Sequence, residues 1–454
     1  MKRFGLKFLV TSSLLLSGLA VAGTRPHYGG TIRMMTHIAP TSLDPLDQTQ
    51  SDGVARQNLT NLLFDTLIVL DSAGRLKPGL AVSWTADADD QRWKLWIRQG
   101  VKFDDGIPLT STIVAASLRS ANPTWNVYVA DDSISIALPG AEPGLPATLA
   151  QPRNAIVRRI QDRVSGTGPF RISQWQPGKL LLAVANEDYW EGRPFVDSVQ
   201  VEFGSSYRDQ LIALDLNRSD VIEIAPEQSK GATMDGRRVS ASAPSELMAI
   251  QFTRNRQSVE DGKLRRALAL SIDRRSIRNV LLQGIGDPAG GMLPNWMTGY
   301  EFLFPMEGDI AKAREQRIEV AQAPVWTIGF NPADPLTRLV AERVVLNARD
   351  AGIPMQTGAL SVDLRVIRVQ LGSIDPQTAL TDLTAKLGLP LPTLSDQSAA
   401  GLYAAESTIL QGQRIIPLFH LPVLYGLNSR VRNCQLEGNG TWTLADAWLA
   451  TEKP

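Results

Sequence analysis

The chain has 454 residues, 43% hydrophobic and 20% charged, with Lys+Arg and Asp+Glu equal at 46 each. That length exceeds the roughly 250–300 residues at which one hydrophobic core stops growing, so two or more domains are expected. Balanced charge gives no footing for binding nucleic acid or an anionic membrane, and a single cysteine, Cys434, excludes an internal disulfide and reads as core filler.

Lys2, Arg3 and Lys7 precede an apolar run, Phe8 to Ala20, that ends in the small-x-small cleavage signal Ala20-Val21-Ala22. The run is shorter than the roughly 20 residues a membrane-spanning helix needs. Residues 1–22 therefore read as a secretory signal peptide, with a mature chain from near Gly23 that is exported to the periplasm. No Cys follows the cleavage site, so a lipid anchor is not expected.

After the leader, Gly29-Gly30 is a turn, Thr31 to Met35 alternates as a strand does, and Pro40 to Pro45 is a polar loop. Val54 to Leu70 has the spacing of a helix running into a strand. GRLKPGLAVSW, 74–84, is a turn and a Trp-bearing segment, and WKLWIRQGVKFDDGIPLT, 93–110, is a strand and an acidic Gly-Pro turn. Pro139, Pro143, Pro146 and Pro152 then mark loops. Residues 165–203 give a Gly/Pro turn at Gly166, Gly168 and Pro169, a strand, the hairpin turn Pro177-Gly178, a second strand, a loop with Tyr189 and Trp190, and a third strand. Helices are expected from Tyr207 to Leu216, around Leu264, Leu268 and Ile272, from Ile310 to Arg317 and from Pro335 to Ala351. Strands are expected at 325–330 and 415–427.

Several of these blocks, in this order, resemble the family 5 extracellular solute-binding proteins, the dipeptide, oligopeptide and nickel-binding subunits of bacterial ABC importers. The carriers are YGGTIRMMTHIAPTSLDP at 28–45, GRLKPGLAVSW, GVKFDDGIPLT, the 165–203 block, and DGKLRRALALSIDRRSIRNVLLQGIGDPAGGMLPNW at 261–296. Asp261, Arg265, Ala267, Asp273, Arg274 and Gly284 fall on the pattern, whereas Thr253 stands where the family commonly has Asn. LGSIDPQTAL, 371–380, falls where peptide binders carry a Trp-led loop. Asp375-Pro376 persist there, but the Trp is missing, and Gly372 replaces the acid that meets the ligand's α-ammonium in dipeptide binders. The resemblance thus implies a chain without that amine clamp.

The resemblance implies an α/β fold with two lobes, the class II, peptide-binding type of periplasmic binding protein, with a small extra N-terminal subdomain. Lobe I takes 23–50, 165–250 and the return 421–454, the small subdomain 51–164, and lobe II 251–420. A small-molecule or peptide ligand is expected between the lobes, captured by hinge closure and passed by a monomer to the transmembrane subunits of an ABC permease. The ligand contacts expected are Thr41 and Ser42 in the first loop, Trp190 and Trp296 as aromatic walls, Thr253 at the crossing strand, and Asp375 and His420 in lobe II. The alternative is a periplasmic sensor or scaffold that keeps the fold without the transport role.

Enzyme readings find little support in the residues. HExxH, GxSxG, Walker and CxxC motifs do not occur. The GxGxxA match at Gly284, Gly286 and Ala289 follows a helix instead of a strand. Asp104-Asp105 sits in a turn, where such pairs are solvated turn formers. His27, His37 and His420 have no metal-ligand spacing, so no cofactor and no metal site is expected. His420, in an apolar run, reads most simply as a satisfied core residue. Because some members of the resembled family bind nickel chelates or haem, His37 and His420 also stand as contacts to a bound metal complex.

Overall fold

The computed structural model describes residues 25–47, 53–71, 73–161, 163–253, 259–300, 304–391 and 398–450, and the leader read in residues 1–22 lies outside them. An 11-stranded sheet runs through the molecule. Across it lie, in order, Phe170–Gln176, Leu180–Ala185, Ser198–Glu202, Thr31–Met35, Val221–Ile224, Ile415–Leu427, Arg238–Phe252, Leu364–Gln370, Trp326–Gly329 and Met355–Thr357, with Asp287–Pro288 paired to Ile415–Leu427 off this path.

On the first side, Thr31–Met35 lies between two parallel partners, Ser198–Glu202 and Val221–Ile224. On the second, Trp326–Gly329 is parallel to both Leu364–Gln370 and Met355–Thr357. Parallel neighbours require long crossovers. The helices Tyr207–Asp215 and Pro335–Asp350 supply them. The second shows how sequence sets the element. Asp334 caps it through Leu336 N–H at 3.1 Å, Pro335 opens it, and Leu336, Val340, Val344 and Ala348 form one buried stripe. Gly352, at φ +76°, follows its end.

Two long antiparallel strands, Arg238–Phe252 and Ile415–Leu427, join the two sides. Arg238 to Ala241 pair with Leu424 to Leu427, while Glu246 to Gln251 pair with Ile415 to Leu421. Between these runs the register shifts twice, and Pro244 stands opposite Pro422. Neither proline has an N–H to give the ladder, so the ladder is interrupted where the chain passes from one lobe to the other. The crossing lies a few residues N-terminal to the 250/251 position expected from sequence on one strand, and close to 420/421 on the other.

Each side has its own core. Ile32, Met34, Val199, Val221 and Tyr425 fill the first, joined by Trp442, Leu444 and Leu449 from the C-terminal tail. The second side is buried on both faces, Met248 and Ile250 with Leu268 and Val340 on one, Leu247 and Ala249 with Leu380 and Leu402 on the other. A separate antiparallel sheet, Ala81–Ala86, Arg92–Ile97, Ser133–Ala137 and Asn126–Val129, packs under helix Ser111–Ala121 around Leu95, Leu118, Ile134 and Ile136.

The glycines of the 165–203 block are explained by close approach. Gly166 and Gly168 pass over the end of helix Val54–Leu63, and Gly168 N–H donates to Leu63 O at 3.1 Å. A Cβ on Gly166 would lie 2.0 Å from Leu63 O, and one on Gly168 2.4 Å from the Leu63 carbonyl carbon. Gly166→Ala and Gly168→Ala should each destabilise by about 1–3 kcal/mol or more in denaturant unfolding. Gly140→Ala, where nothing lies within 4 Å of the added carbon, should stay within about 0.5 kcal/mol of the parent.

Candidate functional site

In open α/β sheets ligands bind outside the carboxyl ends of the parallel strands. Here those ends, from the two lobes, face each other. The first lobe brings His37, just past Met35, Tyr207, just past Ser198–Glu202, and Glu223 on Val221–Ile224. The second brings the loop Asn331 to Asp334 after Trp326–Gly329, Arg368 on Leu364–Gln370, and Glu246 on the crossing strand.

His37 is held on several sides. Its N–H donates to Glu223 Oε2 at 2.6 Å, its ring stacks on Tyr207 at 4.5 Å, and its Nδ1 lies 3.2 Å from Ser205 O. Its Nε2 reaches across the seam to Ala333 O at 3.3 Å. Arg368 sits between two carboxylates, Glu246 Oε2 at 2.6 Å and Asp334 Oδ2 at 3.0 Å. Burial works against its charge, yet those two carboxylates hold it above the ordinary guanidinium range. Burial pushes the Glu223 carboxyl up to about 7 against the lowering influence of His37 and Arg368.

Beside the seam is a cleft of about 360 Å³ between the small sheet's unit and the second lobe. Leu76, Pro143 and Pro146 form one wall, and Met297, Asp375 and Leu402 the other. Asp375 caps helix Pro376–Lys386 through Thr378 N–H at 2.9 Å. Trp296 stands next to Met297 and is 41% exposed, its indole N–H donating to Pro244 O at 2.9 Å. Of the residues expected at the ligand, Asp375 lines this cleft and Trp296 ties its wall to the crossing.

The other expected contacts are placed elsewhere. Thr41 and Ser42 belong to a loop that leans on the Pro177-Gly178 turn, where Gly178 N–H donates to Pro40 O at 2.8 Å, and Ser42 Oγ accepts from Asp44 N–H at 3.2 Å. Thr253 donates to Val362 O at 2.6 Å at the far end of the second lobe. Trp190 lies under Arg98, 4.3 Å from its guanidinium carbon, and donates to Asp65 Oδ2 at 2.9 Å. Thr167 at 2.9 Å and Tyr189 at 3.2 Å donate to the same carboxylate, which burial pushes up to about 6. Trp190 is thus a strut between the 165–203 block and the small sheet's unit. His420 is buried in the second lobe with Nε2 3.0 Å from Met292 O, and burial pushes its imidazole down to about 4.

Gly372 has a local cause. A Cβ there would lie 2.4 Å from Asp382 Oδ2, and Asp382 is ion-paired with Lys386 at 2.8 Å. Tyr207, Glu223, Glu246, Asp334 and Arg368 were not among the residues expected from sequence. The available signal was a charge on a strand with an apolar face, Glu223 in VIEI and Arg368, alongside Arg365, in LRVIRVQ, since a buried charge is costly unless it is paired. Among the described residues no group of three His, Cys, Asp or Glu is arranged to hold a metal ion, and no helix is long and apolar enough to cross a membrane.

Two lobes joined by crossing strands, with their parallel strands ending at a common seam, define the peptide-binding type of periplasmic-binding-protein fold. The model of the bacterial extracellular solute-binding proteins, family 5, matches residues 75–357, more than half of the chain. The chain belongs to that family. Protein XP55 of Streptomyces lividans is 28% identical over 305 residues, 60% of this chain and 54% of that protein. The glutathione-binding protein GsiB of Salmonella typhi is 25% identical over 303 residues, 61% of this chain and 58% of its own length. The matched stretch thus spans little more than half of these relatives. The oligopeptide-binding protein AppA from Bacillus subtilis, in complex with a nonapeptide, superposes with a TM-score of 0.79 at 18% identity, over 94% of this chain and 100% of that one, a likeness of fold.

Two outcomes follow from the struts. Trp190→Phe should cost about 1–3 kcal/mol by leaving a buried carboxylate one donor short, while the melting shift given by any bound ligand stays unchanged. His420 should titrate near 4 by NMR, below the ordinary imidazole value of 6.5. Because the fold opposes its protonation, its contribution to stability is present above about pH 6.5 and is lost as pH falls towards 4.

Proposed function

We propose that the protein is an extracytoplasmic solute-binding protein that captures a small ligand by closing its lobes and delivers it to an ABC permease. The observation that carries this reading is the broken ladder at Pro244 and Pro422 next to a cleft between the lobes. A ligand touching both lobes favours the closed state by its differential affinity for it. On this reading lobe I comprises the first-side strands with the C-terminal tail, lobe II runs from about Glu246 to Leu421, and the small sheet's unit is a subdomain of lobe I. Asp375 and the Trp296 helix are the ligand-facing part of lobe II. Export by the leader to the periplasm and a monomeric state belong to the same proposal.

The cleft volume and the state of Gly372 bear on the ligand. About 360 Å³ suits a compact ligand better than a long peptide. Asp382, behind Gly372, is already matched by Lys386, so a free α-ammonium finds no unpaired carboxylate at that position. A compact peptide-like solute fits this volume, and one with a free α-ammonium, such as the glutathione bound by GsiB, would have to meet Asp375 on the cleft wall instead.

The test is a thermal-shift screen of the mature protein against di- to pentapeptides, glutathione, nickel chelates and haem. A ligand that binds the native state alone stabilises by RT ln(1 + [L]/Kd), about 2.7 kcal/mol at one hundred times Kd. A shift with glutathione or another compact peptide-like solute, reduced by Asp375→Ala, supports the reading. Absence of any shift would turn attention to a receptor-binding role for the same fold.

A further inference from the structure

The seam between the lobes carries an arrangement that ligand capture alone does not require. His37 stands between two carbonyl oxygens, Ser205 O in its own lobe at 3.2 Å and Ala333 O in the other at 3.3 Å, each facing a different ring nitrogen. A neutral imidazole has one N–H and can donate to only one of them. An imidazolium donates to both. The backbone N–H of the same residue is fixed on Glu223, whose backbone N–H is in turn fixed on Gln210 Oε1 at 2.8 Å.

We propose that His37, anchored on Glu223, is a proton-linked latch between the lobes, so that closure takes up a proton at the His37–Glu223 pair. The groups around the pair come from both lobes. Glu223 is faced by His37 from the first loop, Tyr207 from its helix, Tyr425 from the return strand, and Glu246 and Arg368 from the second lobe. Asp334, next to Ala333, shares Arg368 with Glu246. With Glu223 ionised, the closed seam holds three carboxylates, Glu223, Glu246 and Asp334, against the one guanidinium, and burial resists that charge. A proton on Glu223 removes one negative charge, and a proton on His37 lets Nε2 donate across the seam to Ala333 O while Nδ1 donates to Ser205 O within the first lobe, so either favours closure. With the lobes in contact across His37, burial pushes the Glu223 carboxyl up to about 7. A group whose proton is held more tightly in one state favours that state as pH falls. The closed fraction is therefore high in mild acid and declines as pH rises through about 7.

This inference rests on the reading of the crossing strands as a hinge, and is tested without ligand. Spin or fluorescent labels on exposed sites, Tyr128 in the small sheet's unit and Leu360 in the second lobe, report the inter-lobe distance of the full mature protein between about pH 5.5 and 8.5. The expected result is an open-to-closed ratio that rises with pH by up to about tenfold per unit, the slope of one linked proton. His37→Ala should lower the slope and keep the lobes more open throughout. Glu223→Gln, if it folds, should flatten the rise towards alkaline pH, and its failure to fold leaves the His37→Ala comparison decisive. A distance that does not change with pH in the parent, or a pH dependence in His37→Ala equal to that of the parent, overturns the latch. Either result leaves the ligand screen untouched, and a ligandless screen leaves the latch untouched.

Discussion

A β ladder needs an N–H from every second residue of each strand, and the two strands that carry this chain between its lobes break that requirement at one place. Pro244 and Pro422 face each other, the register slips on both sides of Pro244, and Trp296 takes up the Pro244 carbonyl from outside the sheet. Everything else is disposed around that gap. Each lobe is stiff because its strands are buried among helices or turns. The link between them carries an interrupted ladder. The charged seam and the cleft both lie alongside, where a small change of angle is felt as a change of contact.

Apolar patterning made the elements legible. The return strand at 415–427, the capped helix from Pro335 and the hairpin around Pro177-Gly178 fall where alternation, spacing and turn residues place them. The resemblance supplied the order of the lobes. The site was less legible, because the reason for a residue is often a partner far away in sequence. Trp190 was expected as an aromatic wall, yet it and its neighbour Tyr189 are bonded to Asp65, more than a hundred positions earlier. Glu223 and Arg368 were hidden inside apolar strands. Their meaning appears only when strands from different lobes are brought end to end. Asp375 belongs to the Asp-Pro pair on which the resemblance rests, and it lines the cleft.

The family's glycine-rich block shows a related point. Its motif looks like a recognition loop, since Gly-rich turns with aromatic neighbours often hold ligands. In this chain the glycines make room for the end of a helix and the aromatics complete the hydrogen-bonding of one buried acid. What the pattern marks is a joint, and a joint constrains sequence as tightly as a binding site does.

That joint has a consequence for how the molecule could have changed over time. The chain leaves the first lobe after Phe64 and comes back at Ile156, whose N–H donates to the carbonyl of Asp65 at 2.9 Å. Exit and entry are therefore adjacent, and the intervening residues form a cassette plugged into one socket. Such a cassette can be lengthened, trimmed or exchanged without disturbing the strands that bend. Because it supplies Leu76, Pro143 and Pro146 to the cleft, its replacement would resize the chamber while the mechanism of closing stays as it is.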